Sequence, residues 1–94
     1  MEIVNLKITV LNFAEYNPRV ISDLDFENLK KSLETYGFVQ PVVINKDKTI
    51  IGGHQRVKAW QALGNEEVPC VIVDLDKEAE QKLNIALNKI QGDW

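Results

Sequence analysis

The run Thr49-Ile50-Ile51-Gly52-Gly53-His54-Gln55-Arg56-Val57-Lys58-Ala59-Trp60 passes from an apolar, strand-like segment to a helix-like one through two adjacent glycines. This junction constrains the fold more than any other stretch. Glycine has no Cβ, so it enters left-handed backbone conformations and admits close approach by another group. The first four N–H groups of the helix that follows have no partner inside it and carry partial positive charge. Two readings stay open at this level. The glycines form a tight, polar turn, or they form a cradle for an anion at a helix N-terminus.

The remaining chain supplies one small domain around that junction. Its 94 residues are 45% hydrophobic and 27% charged, an ordinary globular balance. A chain of this size buries roughly 60–65% of its unfolded surface, enough for one core without staples. We expect a single domain over residues 1–94, or the N-terminal part of a longer protein. The single cysteine, Cys70, lies in the apolar run Val68-Pro69-Cys70-Val71-Ile72-Val73 and reads as a buried, inert thiol. One histidine and one cysteine offer no zinc set. This cysteine usage suits a reducing compartment, so a cytoplasmic location is expected. No apolar run has the roughly 20 residues a membrane helix needs, and no membrane association is expected. The net charge of −3 argues against strong autonomous binding to duplex DNA.

Periodicity predicts the elements. Val4, Leu6, Ile8 and Val10 alternate with polar residues and predict a half-buried strand. Residues 12–20 read as a loop around Asn17-Pro18. Ser22 as N-cap, Phe26, Leu29, Leu33 and Tyr36 on one face, and Gly37 as stop predict a helix over 23–36. Two short strands, 41–44 and 49–51, flank the polar turn Asn45-Lys46-Asp47-Lys48 and predict a hairpin. A helix over 54–63 ends at Gly64, with Trp60 packed on the core. A strand over 68–74 follows, and Asp76 caps a last helix whose stripe is Leu83, Ala86, Leu87 and Ile90. Asp74, Asp76, Glu78 and Glu80 read as a cap, first-turn acids and a solvated face rather than a metal cluster. The order is strand, helix, two strands, helix, strand, helix: an α/β (α+β) domain with helices packed on a mixed sheet.

Among the eleven basic residues only Arg19 and Arg56 are arginines, and both sit in turn-like polar segments. The planar guanidinium fork suits oxyanions in a way that the lysine point charge does not. Each arginine could equally pair with one of the fourteen acidic residues. His54 is the sole imidazole and a candidate acid–base group or phosphate donor. Lys30-Lys31 reads as solvated surface, and Trp94 as either a docking residue or an internal residue of a longer chain.

The ordered set of motifs resembles the ParB/sulfiredoxin superfamily. It comprises Asn17-Pro18-Arg19, the helix carrying Leu29 and Ser32, Tyr36-Gly37-Phe38-Val39-Gln40-Pro41-Val42-Val43-Ile44, Ile51-Gly52-Gly53-His54-Gln55-Arg56, Ala62-Leu63-Gly64 and Val68-Pro69-Cys70-Val71. The resemblance runs from about Leu6 to Trp94. It is to the N-terminal domain of ParB-type partition proteins and to the ParB-like "nuclease" domains of phages, mobile elements and methyltransferase-associated proteins. It implies a small α/β domain that binds a nucleoside triphosphate, CTP or ATP, with Mg2+. Position by position, it implies nucleotide-binding roles for Arg19, Ser32, Gln40, Gly52, Gly53, His54, Gln55 and Arg56. It also implies a metal-side role for Asn88 through nucleotide-bound magnesium. The chain departs from the family in two places. Where partition proteins carry Gly-Glu-Arg-Arg it has Gly53-His54-Gln55-Arg56, and the glutamate of their Glu-Asn pair has no counterpart beside Asn88. Sulfiredoxins carry a nucleophilic cysteine where this chain has His54, which speaks against their chemistry here.

Three functional readings follow from the residues and the resemblance. The first is a nucleotide-binding module of a DNA-associated protein, reaching DNA through additional domains or partners and compatible with a homodimer. The second is an NTPase or DNA endonuclease with His54 as its acid–base residue. The third is a protein-interaction domain that kept the fold without a ligand.

Overall fold

The computed structural model describes residues 2–14 and 21–91, with 88–91 described as helical backbone only. The elements run β1 (Ile3–Lys7), a 3-10 turn (Ile8–Val10), β2 (Asn12–Phe13), α1 (Asp23–Tyr36), β3 (Val42–Asn45), β4 (Thr49–Gly52), α2 (His54–Ala62), β5 (Glu67–Val73) and α3 (Lys77–Gln91). They form one mixed sheet of five strands in the order β1-β5-β3-β4-β2. β1 pairs antiparallel with β5, β5 parallel with β3, β3 antiparallel with β4, and β4 parallel with β2. The expected α/β (α+β) class and the strand–helix order around the glycine junction are present.

Two differences from expectation lie at the N-terminal end. The alternating run does not continue as a strand to Val10. It closes into a 3-10 turn after Lys7, where the Ile8 N–H donates to the Glu66 carbonyl at 2.9 Å and buries Ile8. Asn12 and Phe13, expected in a loop, form the edge strand β2. Asn12 N–H donates to the Lys48 carbonyl and its side-chain amide to the Asp47 carbonyl. Two residues carry no readable alternation, so long-range pairing alone makes this strand.

The central strands explain the core. Ile50 and Ile51 are adjacent and both fully buried. Successive side chains leave a strand on opposite faces, so both faces of β4 are covered. The main cluster joins Ile8, Leu11, Val42, Ile44, Ile50, Val57, Val68 and Cys70, with Val4, Leu6, Phe38 and Trp60 packed against it. α1 and α2 pack on one another, and α3 lies along β4. Cys70 is the buried thiol expected, and burial pushes its pKa up.

The helix ends are set as read. Ser22 Oγ accepts from the Asp25 N–H at 3.1 Å, and Asp76 Oδ1 accepts from the Ala79 N–H at 2.8 Å. Gly37 closes α1 with φ 77°. The acidic run at the start of α3 is not a solvated face throughout, however. Glu80 is fully buried. Its carboxylate accepts from Asn45 Nδ2 at 2.8 Å and from Lys77 Nζ at 3.0 Å. Asn45 also donates to the Leu75 carbonyl and accepts from the N–H groups of Lys46 and Leu75. The hairpin end is thereby tied to the loop that leads into α3. One turn further along α3, buried Asn84 donates to the Ile51 carbonyl at 2.7 Å. The local acidic context of Glu80 concealed this, because nothing in the sequence places Asn45 opposite it.

Two stability effects are expected. Glu80→Ala removes a charged acceptor from a buried amide and should cost about 2–3 kcal/mol in urea unfolding. Glu80→Gln, which keeps an acceptor for Asn45, should lose less than half as much. Equal losses would remove the hydrogen bond as the cause. The second effect is pH-dependent. Hydrogen bonds from the Thr49 side chain and then its backbone N–H, with Lys77 adding attraction, hold the Asp47 carboxyl below its usual range. A depressed folded-state pKa adds stability above the unfolded value, about 4, and that stability is lost as pH falls through the folded value. The thermal midpoint gap between wild type and Asp47→Ala should stay level from neutral pH to about pH 5 and narrow below about pH 4.

Candidate functional site

At the end of the sheet where β3 begins and β4 runs into α2, a cleft of about 240 Å³ opens. Its described lining is Gln40, Pro41, Val43, Gly52, Arg56 and Leu87. β3 and β4 bring its floor together, with Val43 paired opposite Gly52. α3 supplies Leu87 and α2 supplies Arg56.

The turn into α2 has the geometry the two glycines allow. Gly53 is the N-cap residue of α2 at φ 103° and ψ 19°, a left-handed conformation. A Cβ on Gly53 would lie 2.9 Å from Arg56 Nη2, so the guanidinium is folded back over the turn. Arg56 Nη1 donates to the Gln40 carbonyl at 2.8 Å, and its Cζ sits 5.3 Å from the centre of the Phe38 ring. Phe38 in turn meets the Trp60 ring edge-on at 5.7 Å. A Cβ on Gly52 would lie 2.7 Å from Leu87 Cδ1, so the end of that side chain would have to shift to admit one.

Electrostatics sharpen the picture. α1 begins with Asp23 and Asp25 and α3 with Glu78 and Glu80, the arrangement that suits a positive helix end. The first turn of α2 has no acidic residue and carries an arginine instead. The Arg56 guanidinium thus lines the cleft within the first turn of α2, where the helix end carries partial positive charge.

Of the residues singled out from sequence, Gln40, Gly52 and Arg56 line this cleft, and Gly53 shapes its rim. His54 and Gln55 are buried, at 3% and 7% exposure, and are not among the described lining. The His54 ring lies 6.2 Å from that of Phe13 on β2, which also receives Lys58 in a cation–π contact. Ser32 is on the exposed side of α1. Arg19 and the side chain of Asn88 lie outside the described residues. Sequence reasoning passed over Pro41, Val43 and Leu87 as lining, and over Phe38 as the surface under Arg56. Leu87 had a signal, its place in the α3 apolar stripe, but only the α3–β4 packing turns that stripe toward the cleft. Among the described residues, no group of three or more His, Cys, Asp or Glu could hold a metal ion, and no helix is long and apolar enough to cross a membrane.

The sheet order and the glycine turn beneath an arginine define a domain of the ParB/sulfiredoxin fold. Comparison with solved structures agrees. The C-terminally truncated chromosome-partitioning protein ParB of Caulobacter crescentus, complexed with CTP-gamma-S, superposes with a TM-score of 0.85 at 23% identity, over 97% of this chain and 54% of that one. Sulfiredoxin from Arabidopsis thaliana superposes with a TM-score of 0.73 at 21% identity, over 88% of this chain and 97% of that one. Residues 1–89 match the ParB N-terminal domain family, and the chain belongs to it. A probable chromosome-partitioning protein ParB of Coxiella burnetii is 34% identical over 91 residues, covering 93% of this chain and 31% of that protein. The chain spans about a third of the length of the curated relatives it matches.

The two glycines should respond differently to substitution. Gly53→Ala meets both a left-handed φ and the Arg56 guanidinium and should cost about 1–2 kcal/mol by thermal unfolding. Gly52→Ala meets only the end of the flexible Leu87 side chain and should cost less while narrowing the cleft. The opposite ranking would overturn this account of the turn.

Proposed function

We propose that this chain is a nucleotide-binding module of a DNA-associated ParB-type protein, holding a nucleoside triphosphate of the CTP or ATP type on the Gly52-Gly53 turn. The observation that carries the reading is Arg56. Its guanidinium is held at the edge of the cleft by the Gln40 carbonyl and the Phe38 ring, beside a helix N-terminus without acidic residues. Glycines without Cβ atoms let phosphate oxygens approach the backbone, and the amides of the first turn of α2 and the Arg56 fork meet them. Gln40 walls the cleft. In the ligand complex, magnesium would be carried on the phosphates, neutralising charge that the described side chains do not. The Caulobacter ParB complex with CTP-gamma-S supports this choice of ligand class.

The reading is one of binding. The His54 imidazole lies buried against Phe13, outside the described lining of the cleft. DNA contact, in this proposal, belongs to further domains or partners, since the chain carries a net charge of −3.

Isothermal titration with CTP, ATP and GTP, each with and without magnesium, tests the proposal. One nucleotide should bind with measurable heat and raise the thermal midpoint. Arg56→Ala should weaken that binding by about 10–100-fold, the worth of a charge-assisted hydrogen bond. No heat and no midpoint shift with any nucleotide would sink the reading.

A further inference from the structure

We infer that Phe38 is the positioning residue for Arg56: its ring forms the platform that holds the guanidinium over the glycine turn and aims it at an anion in the cleft. The inference rests on the nucleotide-binding reading only for the identity of that anion.

An arginine in the first turn of a helix has several staggered conformations open to it, most of them leading into solvent. Arg56 does not take those. Its Cζ lies 5.3 Å from the Phe38 ring centre, and its Nη1 donates to the Gln40 carbonyl at 2.8 Å. Both partners come from the segment between α1 and β3, two residues apart. The hydrogen bond engages one nitrogen, and the ring lies beneath Cζ. Arginine stacks on an aromatic face through its delocalised charge, a contact an aliphatic residue of equal size does not offer. The platform is itself immobilised. Phe38 is half-buried on the main core and meets the Trp60 ring edge-on at 5.7 Å. Trp60 is anchored by its Nε1 donating to the Glu67 carbonyl at 2.8 Å. A chain of contacts therefore runs from β5 through Trp60 and Phe38 to Arg56.

The test separates the platform from the ligand. The first readout uses the ligand-free protein. A ring under the guanidinium shifts the Arg56 side-chain proton resonances upfield. Phe38→Leu should abolish that shift, and Phe38→Tyr should keep it. The second readout is titration with inorganic tripolyphosphate, which carries the phosphates without a base or sugar. Phe38→Leu should weaken it by roughly fivefold, and Phe38→Tyr should restore wild-type affinity. Phe38→Met, unbranched and without a ring, replaces Phe38→Leu if that variant does not fold. Unshifted Arg56 resonances in wild type, or equal tripolyphosphate affinity in the wild-type and Leu proteins, would overturn the inference. If wild type binds neither tripolyphosphate nor nucleotide while the resonance shift is present and lost in Phe38→Leu, the binding reading falls and the platform stands.

Discussion

The fold turns on one backbone event, the left-handed conformation of Gly53 between β4 and α2. β4 is a central strand, fully buried along its length, and it must stop and become a helix within one residue. At φ 103° only glycine makes that turn without strain. The turn then fixes where the first turn of α2 points and so where Arg56 can reach. The same absence of side chain clears room for the guanidinium, which occupies the space a Cβ would crowd. Fold and cleft therefore share one requirement: the residue that permits the chain reversal also admits the cation.

A second constraint lies on α3. This helix closes the cleft with Leu87 against Gly52, yet two further anchors among its described residues are polar: Glu80 to Asn45 and Asn84 to the Ile51 carbonyl. Glu80, Asn84 and Leu87 fall at intervals of four and three residues, a single helical face. An apolar face alone would let the helix slide along the sheet at little cost. Buried hydrogen bonds tolerate no such shift, since a displaced donor or acceptor loses its partner in a dry environment. The polar anchors thus set the register of α3, and that register sets where Leu87 meets Gly52.

What the sequence made legible follows from the range of the interactions involved. Ser22, Asp76, Gly37 and the glycine pair act within a few residues, and their caps and turns are where the residue types place them. The central strands and three helices were readable for the same reason. β2 was not, because a two-residue strand exists only through its pairing with β4 across more than thirty residues. Glu80 was misread as solvated because its neighbours are acidic and exposed, while its partner Asn45 lies in the hairpin. Gln40, Gly52 and Arg56, singled out from the motifs, line one cleft together. Phe38 was quoted only as part of a motif; that its ring supports Arg56 depends on how the segment after α1 packs, which no local pattern encodes.

The fold is shared by ParB and sulfiredoxin structures, so the sheet and the glycine turn do not choose the chemistry. That choice lies in the residue types placed around the turn. A thiol reaction needs an accessible sulfur of lowered pKa, and the one cysteine here is buried on β5 with its pKa pushed up. At the position after the glycines stands His54, turned under Phe13 and buried. Two residues further on, Arg56 is directed into the cleft by contacts from a separate segment. At this turn the imidazole is thus buried, while the guanidinium lines the cleft. Under the nucleotide-binding proposal, that arrangement suits holding an anion over transforming it.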